Sequence, residues 1–474
     1  MKTGKIITLL GILCLFFTGS AKAQNYYDAL RYNIFYPGSD PINLGMAGST
    51  VANKSGFGSV SENPATAGLF DSSSLSFALS SRNVSEDASY LGVTKNWNDS
   101  QSNISNVGLV YKMPTIQGSF VVGGGYNQLT DYNRAFKIDA NNPNNSITEF
   151  FNQSSFYHDI AYNGYALDST STGTESILQL AQNGFRGINQ YAEVKERGQM
   201  GEYTLFAASE FQKNLYLGIA LAFPVGDYTY HRSFLERDLN GNYQTYPYNV
   251  DNIDSEDRIH DKLSGFYARL GFVYKLMPWL NIGGSYRTKS TLKVKETYYS
   301  SVQTTFDDGD NYKGDLNGKI NYEIQSPGRL TLGASIIDYS GLSVNGSVEY
   351  MDYSKITMSK LGDKSYEITQ NNNIESNFKQ VWNYRIGASY KLGSIEPRVG
   401  YAYYPSPRKY FDASRKFYSA GLGIGMTNHL MLNIGVQLAR WNDNVSLYSI
   451  NNQSMTAGEK VDRINAMIGI RAVF

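Results

Sequence analysis

Apolar and polar residues alternate with a period of two through much of the chain, the repeat of a half-buried β-strand. From 431 to 439, Leu432, Ile434, Val436 and Leu438 share one face, while Asn433, Gly435 and Gln437 share the other. From 343 to 350, Val344, Val348 and Tyr350 oppose Ser343, Asn345, Ser347 and Glu349. From 384 to 392, Tyr384, Ile386, Ala388, Tyr390 and Leu392 oppose Arg385, Gly387, Ser389 and Lys391. The final stretch groups Ile464, Ala466, Ile468, Ile470, Ala472 and Phe474 against Asn465, Gly469 and Arg471. The first convincing strand is Ser74 to Arg82, and the third is Gly118 to Leu129.

The connections alternate in length. Short turns are expected near 113–118, 210–215, 275–280, 338–342, 391–395 and 426–430. Longer polar stretches lie near 83–103, 129–199, 225–262, 288–328, 353–380, 405–415 and 441–462. Six turns and seven loops make thirteen connections and fourteen strands. Alternation alone fits a soluble sandwich as well. Tyr-rich strand ends, ten-residue segments and a terminal Phe favour an all-β, 14-stranded antiparallel transmembrane β-barrel, with short periplasmic turns and long external loops.

The first 23 residues read as an export signal. Lys2 and Lys5 precede an apolar core, Ile6 to Phe17, and Ala21-Lys22-Ala23 supplies a small-x-small cleavage site. After Gln24 no apolar run approaches the roughly 18 residues of a membrane helix. Residues 24–71, rich in Gly, Asn, Ser and Ala, fit no strand pattern. They read as a plug for a barrel wide enough to need filling, or as a disordered leader. The barrel then occupies 72–474.

Composition narrows the chemistry. Lys+Arg and Asp+Glu both number 42, which argues against a nucleic-acid binder. Cys14 is the only cysteine, so there is no disulfide framework. The four histidines show no metal spacing, no Gly-x-Ser-x-Gly elbow is present, and "FDDGD" and "DLNGN" lack a full calcium ligand set. No catalytic residue, metal or cofactor is expected.

The run "DPINLGMAGSTVANKSGFGSVSENPATAGL" (40–69) resembles the N-terminal hatch of FadL-type transporters of long-chain fatty acids and hydrophobic compounds. The hatch elements correspond to Gly45-Met46-Ala47-Gly48, with Ala47 a mild departure, and to Asn63-Pro64-Ala65. Segments 265–295, 327–356 and 381–407 resemble the family's hairpins, and the external loops match poorly. The resemblance implies a plugged barrel in the outer membrane of a Gram-negative bacterium. Its external loops would capture a hydrophobic small molecule, its hatch would move, and an inward kink in the third strand would open the wall toward the lipid. Transport is expected to be facilitated diffusion by a monomer. The rivals are a porin-type channel for small polar solutes and a non-transporting surface protein. Fatty acids, aromatic hydrocarbons, quinones and haem-like compounds all fit as ligands.

Gly123-Gly124-Gly125 lies in the third strand, as a site for a kink or for close contact with the hatch. Asn63-Pro64-Ala65 reads as a hatch hinge or an ordinary Asn-Pro turn. Thr174 can cap a short helix bearing Ile177, Leu178 and Ala181, as a capture groove or a lid. Alternation puts Arg287, Arg385, Lys391 and Arg398 on the lumen side, as anchors for a ligand anion or partners of acids such as Glu349 and Glu396.

Overall fold

In the computed structural model, which describes residues 25–451 and 453–474, fourteen antiparallel strands close into a barrel among the described residues. The expected export signal, 1–23, lies outside the described residues. The strands are β1 (Ser74–Tyr90), β2 (Val93–Met113), β3 (Phe120–Asp131, resumed at Arg134–Asn142), β4 (Ile188–Gln212), β5 (Leu215–Arg237), β6 (Val250–Met277) and β7 (Leu280–Arg287, resumed at Ser290–Phe306). They continue with β8 (Asn311–Ser326, resumed at Arg329–Tyr339), β9 (Leu342–Asp352, resumed at Thr357–Ser359), β10 (Gln380–Tyr390), β11 (Ile395–Tyr404), β12 (Arg415–Gly425), β13 (Leu430–Ile450) and β14 (Gln453–Val473). β1 pairs with β14 from Ser74↔Val473 to Ser89↔Gly458, which closes the cylinder. No described helix is long and apolar enough to cross a membrane.

All six short turns fall where the pattern puts them. Four of the stretches read as long loops do not. Residues 83–103, 225–262, 288–328 and 441–462 are mostly strand; 83–103 and 288–328 close in tight turns at 91–92 and 307–310, and 441–462 turns at Asn451. These strand ends rise beyond the lipid with polar outward faces, and on their inward faces apolar residues such as Val302, Phe306 and Tyr448 mix with polar ones, so no regular apolar period marks them. Leu91 and Gly92 both have positive φ (47° and 82°), the geometry of a two-residue hairpin turn that glycine supports without strain. The third strand also runs past Leu129, to Asn142 after its interruption.

Side chains sort by face. On β5, Leu217, Ile219, Leu221 and Phe223 point outward and exposed, followed by Asp227 and His231 on the same face. Leu217 to Val225 covers about 30 Å of strand, or roughly 23 Å of height at a tilt near 40°. That fits the apolar band of about 25 Å of an outer-membrane barrel. Leu205 and Val399, each 61% exposed, belong to the same belt, because lipid rather than protein covers them.

Candidate functional site

The segment before β1 fills the lumen. It begins among the external loops. Helix α1 (Tyr26–Arg31) is capped by Asn25, and the Tyr26 N–H donates to Gln370 Oε1 (2.9 Å) on a loop helix, Lys364–Asn377. The Tyr32 hydroxyl donates to Asp261 on β6. Below this come Phe35 and Tyr36, then α2 (Pro41–Gly45), α3 (Phe57–Glu62) and a 3-10 turn (Pro64–Leu69). Asp40 joins the two helices, accepting from Asn43 N (2.7 Å) and Gly58 N (2.7 Å).

Barrel glycines make room for these helices. A Cβ at Gly400 would lie 2.5 Å from the Met46 carbonyl carbon, and one at Gly45 would lie 3.0 Å from Gly421 Cα. Ala47 and Gly48 follow with positive φ (51° and 71°), turning the chain away from the wall. Asn63 is fully buried. Its Nδ2 donates to Val51 O (2.7 Å) and to Phe272 O (2.9 Å) on β6, while its Oδ1 accepts from Ala65 N (3.0 Å). One side chain thus caps the turn that starts at Pro64, closes the hatch on itself and ties it to the wall.

Above the hatch lies a cavity of about 70 Å³ lined by Phe35, Tyr36, Glu62, Arg287, Arg329 and Arg385 among others. Arg385 bonds Glu62 Oε2 (2.7 Å) on the hatch, Glu349 Oε2 (3.0 Å) and the Tyr404 hydroxyl (2.8 Å). Arg287 is buried and stacks on Phe35 (5.1 Å) and Tyr267 (4.7 Å). Arg398 is buried lower down, on Glu396 (3.2 Å) and Asn433 (3.0 Å). Lys391 corrects the alternation. It is exposed in the turn 391–394, because β10 ends one residue earlier and the inward face ends with it.

At one seam both neighbouring strands run on without pairing, whereas at the tops of β8 (Asn311–Tyr322) and β13 (Trp441–Ile450) pairing is one-sided because the neighbouring strand ends. β2 and β3 pair from Met113↔Phe120 to Asn106↔Asn127 and no further. Beyond, β3 carries an irregularity at Gln128/Thr130 and leans on β4 alone, so Val93–Ile104 of β2 pairs only with β1. Side chains bridge this seam. Asp99 of β2 meets Arg197 (2.7 Å) and Lys195 (3.2 Å) of β4, and Lys95 meets Asp139 (3.6 Å). Gly123-Gly124-Gly125 sits just below the seam, still in register with Val110, Leu109 and Gly108. A Cβ at Gly125 would come within 2.9 Å of the Phe57 ring. At the irregularity, the Tyr36 N–H donates to Leu129 O (3.3 Å), so the hatch touches β3 where it leaves β2.

The external mouth is closed by the loop 143–187. Its Ile147, Phe151, Ile160, Ile177 and Leu178 are buried in one cluster with strand residues such as Phe234, Val302 and Tyr448. The helix expected after Thr174 is Ile177–Leu180, and its cap is Ser176, whose Oγ accepts from Leu178 N (3.2 Å). Thr174 instead lies in a short strand, Gly173–Ser176, with its hydroxyl on Asn152 (2.8 Å). Sequence reasoning missed Phe35, Tyr36, Glu62, Asp99, Arg197 and Arg329. Their roles come from register and from hatch-to-wall contacts, which leave no local pattern.

The model of the outer membrane protein transport protein family (OMPP1/FadL/TodX) matches residues 198–465. The P. putida toluene transporter TodX is 14% identical with a TM-score of 0.55, covering 93% of this chain and 99% of that one. A Pseudomonas aeruginosa FadL homologue is 12% identical at 0.60, with the same coverage of 93% and 99%. The Ralstonia pickettii toluene transporter TbuX is 16% identical at 0.53, covering 94% and 100%. At these identities the structures speak for the fold. No curated protein matches. The family match spans more than half of the sequence, and with the closed barrel it makes this chain a member of the OMPP1/FadL/TodX family of outer-membrane transport proteins.

Proposed function

We propose that the protein carries hydrophobic small molecules, of the long-chain fatty acid kind, across the outer membrane by facilitated diffusion. Residues 1–23 serve as a cleaved export signal and 24–71 as the hatch. External loops capture the ligand, the lumen holds it, the hatch shifts, and the ligand leaves sideways at the foot of the seam between β2 and β3, where exposed Ile104 and Val107 mark the top of the apolar belt. Gly45, Met46 and Gly48 seat the hatch against the wall, and Asn63-Pro64-Ala65 is its hinge. Arg287 and Arg385 face the ligand, whereas Arg398, paired low in the hatch, and Lys391, outside the lumen, are not anchors in this reading.

The observation that carries the proposal is the pairing of β2 and β3, which stops at Asn106↔Asn127 while both axial ends are filled. A closed ladder gains about 0.5–1.5 kcal/mol per hydrogen bond, whereas partly exposed ion pairs contribute about 0–1 kcal/mol each. The seam therefore parts at lower cost than a laddered stretch of wall. An apolar ligand gains about 0.8 kcal/mol per CH₂ on reaching hydrocarbon and nothing comparable in a wet axial pore.

Purified protein in liposomes should take up a long-chain alkyl carboxylate faster than protein-free liposomes. Deleting residues 24–71 should change that rate. A large, steady conductance of the intact protein in planar bilayers would favour the porin reading and end this one. Unchanged uptake after the deletion would point to a surface protein without transport.

A further inference from the structure

Where the apolar belt ends, the outer face of β6, β7 and β8 is cationic. The last row of the belt runs from Val225 of β5 through Ser264 of β6 to Lys293 of β7 and Glu323 of β8. The next outward row is Asp227, Lys262, Lys295 and Asn321, so two lysines stand directly opposite each other in the ladder. Like charges so placed repel. Lys319 of β8 lies on the diagonal from Lys295, opposite Thr297, and Lys289 is exposed where β7 resumes. All five lysines are exposed, and none makes an ion pair among the described residues. The carboxylates among them are Asp227 and Glu323, and Glu323 already holds Lys360 (2.7 Å). Lys+Arg and Asp+Glu balance at 42 each over the whole chain, so this excess of positive charge is local.

Directly beneath the lysines lies wall that lipid covers. Phe266 and Leu270 of β6 are each 50% exposed, and Phe266 packs on Phe223 of β5 with ring centroids 5.4 Å apart. We propose that Lys262, Lys289, Lys293, Lys295 and Lys319 bind the phosphates of a phosphorylated lipid of the external leaflet, whose acyl chains run down over Phe223, Phe266 and Leu270. The patch is continuous with the belt, so phosphates anchored in that leaflet meet the lysines at their own height. A soluble polyanion or a protein would have nothing to bury below them. A phosphate between Lys262 and Lys295 replaces their repulsion with two charge-assisted contacts. The lysine stems can lie along the apolar wall while their ammonium heads reach the headgroup. The site is on β6, β7 and β8, whereas the seam is between β2 and β3, so the bound lipid fixes the height and tilt of the barrel without covering the exit. The inference rests on the outer-membrane barrel and not on what is transported.

The test is native mass spectrometry of the folded, detergent-solubilised protein in EDTA. It is titrated with diphosphorylated lipid A, with the same lipid stripped of its phosphates, and with inorganic phosphate. The wild type should retain the diphosphorylated lipid, hold the stripped lipid more weakly and retain no inorganic phosphate. Lys262→Gln with Lys295→Gln should weaken the diphosphorylated lipid about thirtyfold, the factor for two lysines at ~1 kcal/mol each, and leave the stripped lipid unchanged. Lys213→Gln with Lys391→Gln removes the same charge from two exposed turns at the other end of the barrel and should change nothing. Each variant is first shown to keep the heat-dependent gel shift of a folded barrel. The site is refuted if Lys262→Gln with Lys295→Gln binds like the wild type, if both double variants lose the lipid alike, or if the wild type holds both lipids equally. Retention of inorganic phosphate as firmly as the lipid would make this a small-anion site and refute the lipid as well.

Discussion

A methyl group added at Gly271 measures how firmly the hatch is held. Gly271 lies on β6 with its missing Cβ aimed at Asn63 and Pro64. A Cβ there would sit 1.9 Å from Asn63 Oδ1 and 3.0 Å from Pro64 Cδ. No rearrangement of the neighbouring wall removes that overlap, so in Gly271→Ala the Asn63 side chain must leave. Its bonds to Val51 O (2.7 Å), Phe272 O (2.9 Å) and Ala65 N (3.0 Å) go with it. At about 0.5–1.5 kcal/mol each, the three amount to about 1.5–4.5 kcal/mol of hatch docking. That shifts the docked-to-released ratio by about tenfold to a thousandfold. The barrel itself should survive, because alanine is at least as good as glycine inside a strand. The assays are protease cleavage of the hatch in the folded, detergent-solubilised protein and single-channel recording in planar bilayers. Gly271→Ala should be cleaved faster within 40–71 and should show brief openings that the wild type lacks. Gly346→Ala is the control, since a Cβ there meets nothing within 4 Å. If Gly271→Ala is as protected and as silent as Gly346→Ala, Asn63 does not fasten the hatch.

Three further outcomes follow from the same geometry. Arg385→Gln leaves half-buried Glu62 without its guanidinium, a loss of about 1–3 kcal/mol that should also release the hatch and appear as conductance. Asp99→Asn removes the contacts with Arg197 and Lys195, which are partly exposed, so about 1–2 kcal/mol at most is lost. Uptake of the alkyl carboxylate into liposomes should rise about two- to tenfold, about 1 M salt should mimic the change in the wild type, and insensitivity to both would remove the ion pairs from the gate. Glu236 lies on β5 above the apolar belt, and burial pushes its pKa up to about 7 against hydrogen bonds from Gln190 (2.7 Å) and Ile147 N (2.9 Å). A carboxyl whose folded pKa is raised contributes stability below its unfolded value near 4.5, and loses it as pH rises through about 7. Amide protection in 143–187, corrected for the intrinsic pH dependence of exchange, should therefore fall between about pH 4.5 and 7 and level off above that in the wild type, and Glu236→Gln should flatten that dependence.

The period-two pattern determined the strands that cross the lipid, because there one face must be apolar and the other must not. The six short turns follow for the same reason, being the places where alternation breaks and restarts. The strand ends that rise above the membrane were illegible, since their outward side meets water and their inward side mixes buried apolar and polar residues without a regular period. Residues such as Asn63 and Gly45 could be singled out from the hatch resemblance, but not what they touch. That Asn63 reaches Phe272 across 209 positions, or that Arg287 faces Arg329, depends on ladder register, which long-range pairing sets. The seam is likewise a fact of tertiary structure. The sequence drew attention to Gly123-Gly124-Gly125, yet those glycines are fully paired, and the ladder fails only beyond Asn127. There the hatch holds β3 through Tyr36 and Leu129, and β4 offers ion pairs in place of a backbone edge. Local residue preferences fixed which segments became wall. Closure of the cylinder around its own N-terminal segment decided which part of that wall stays open to separation.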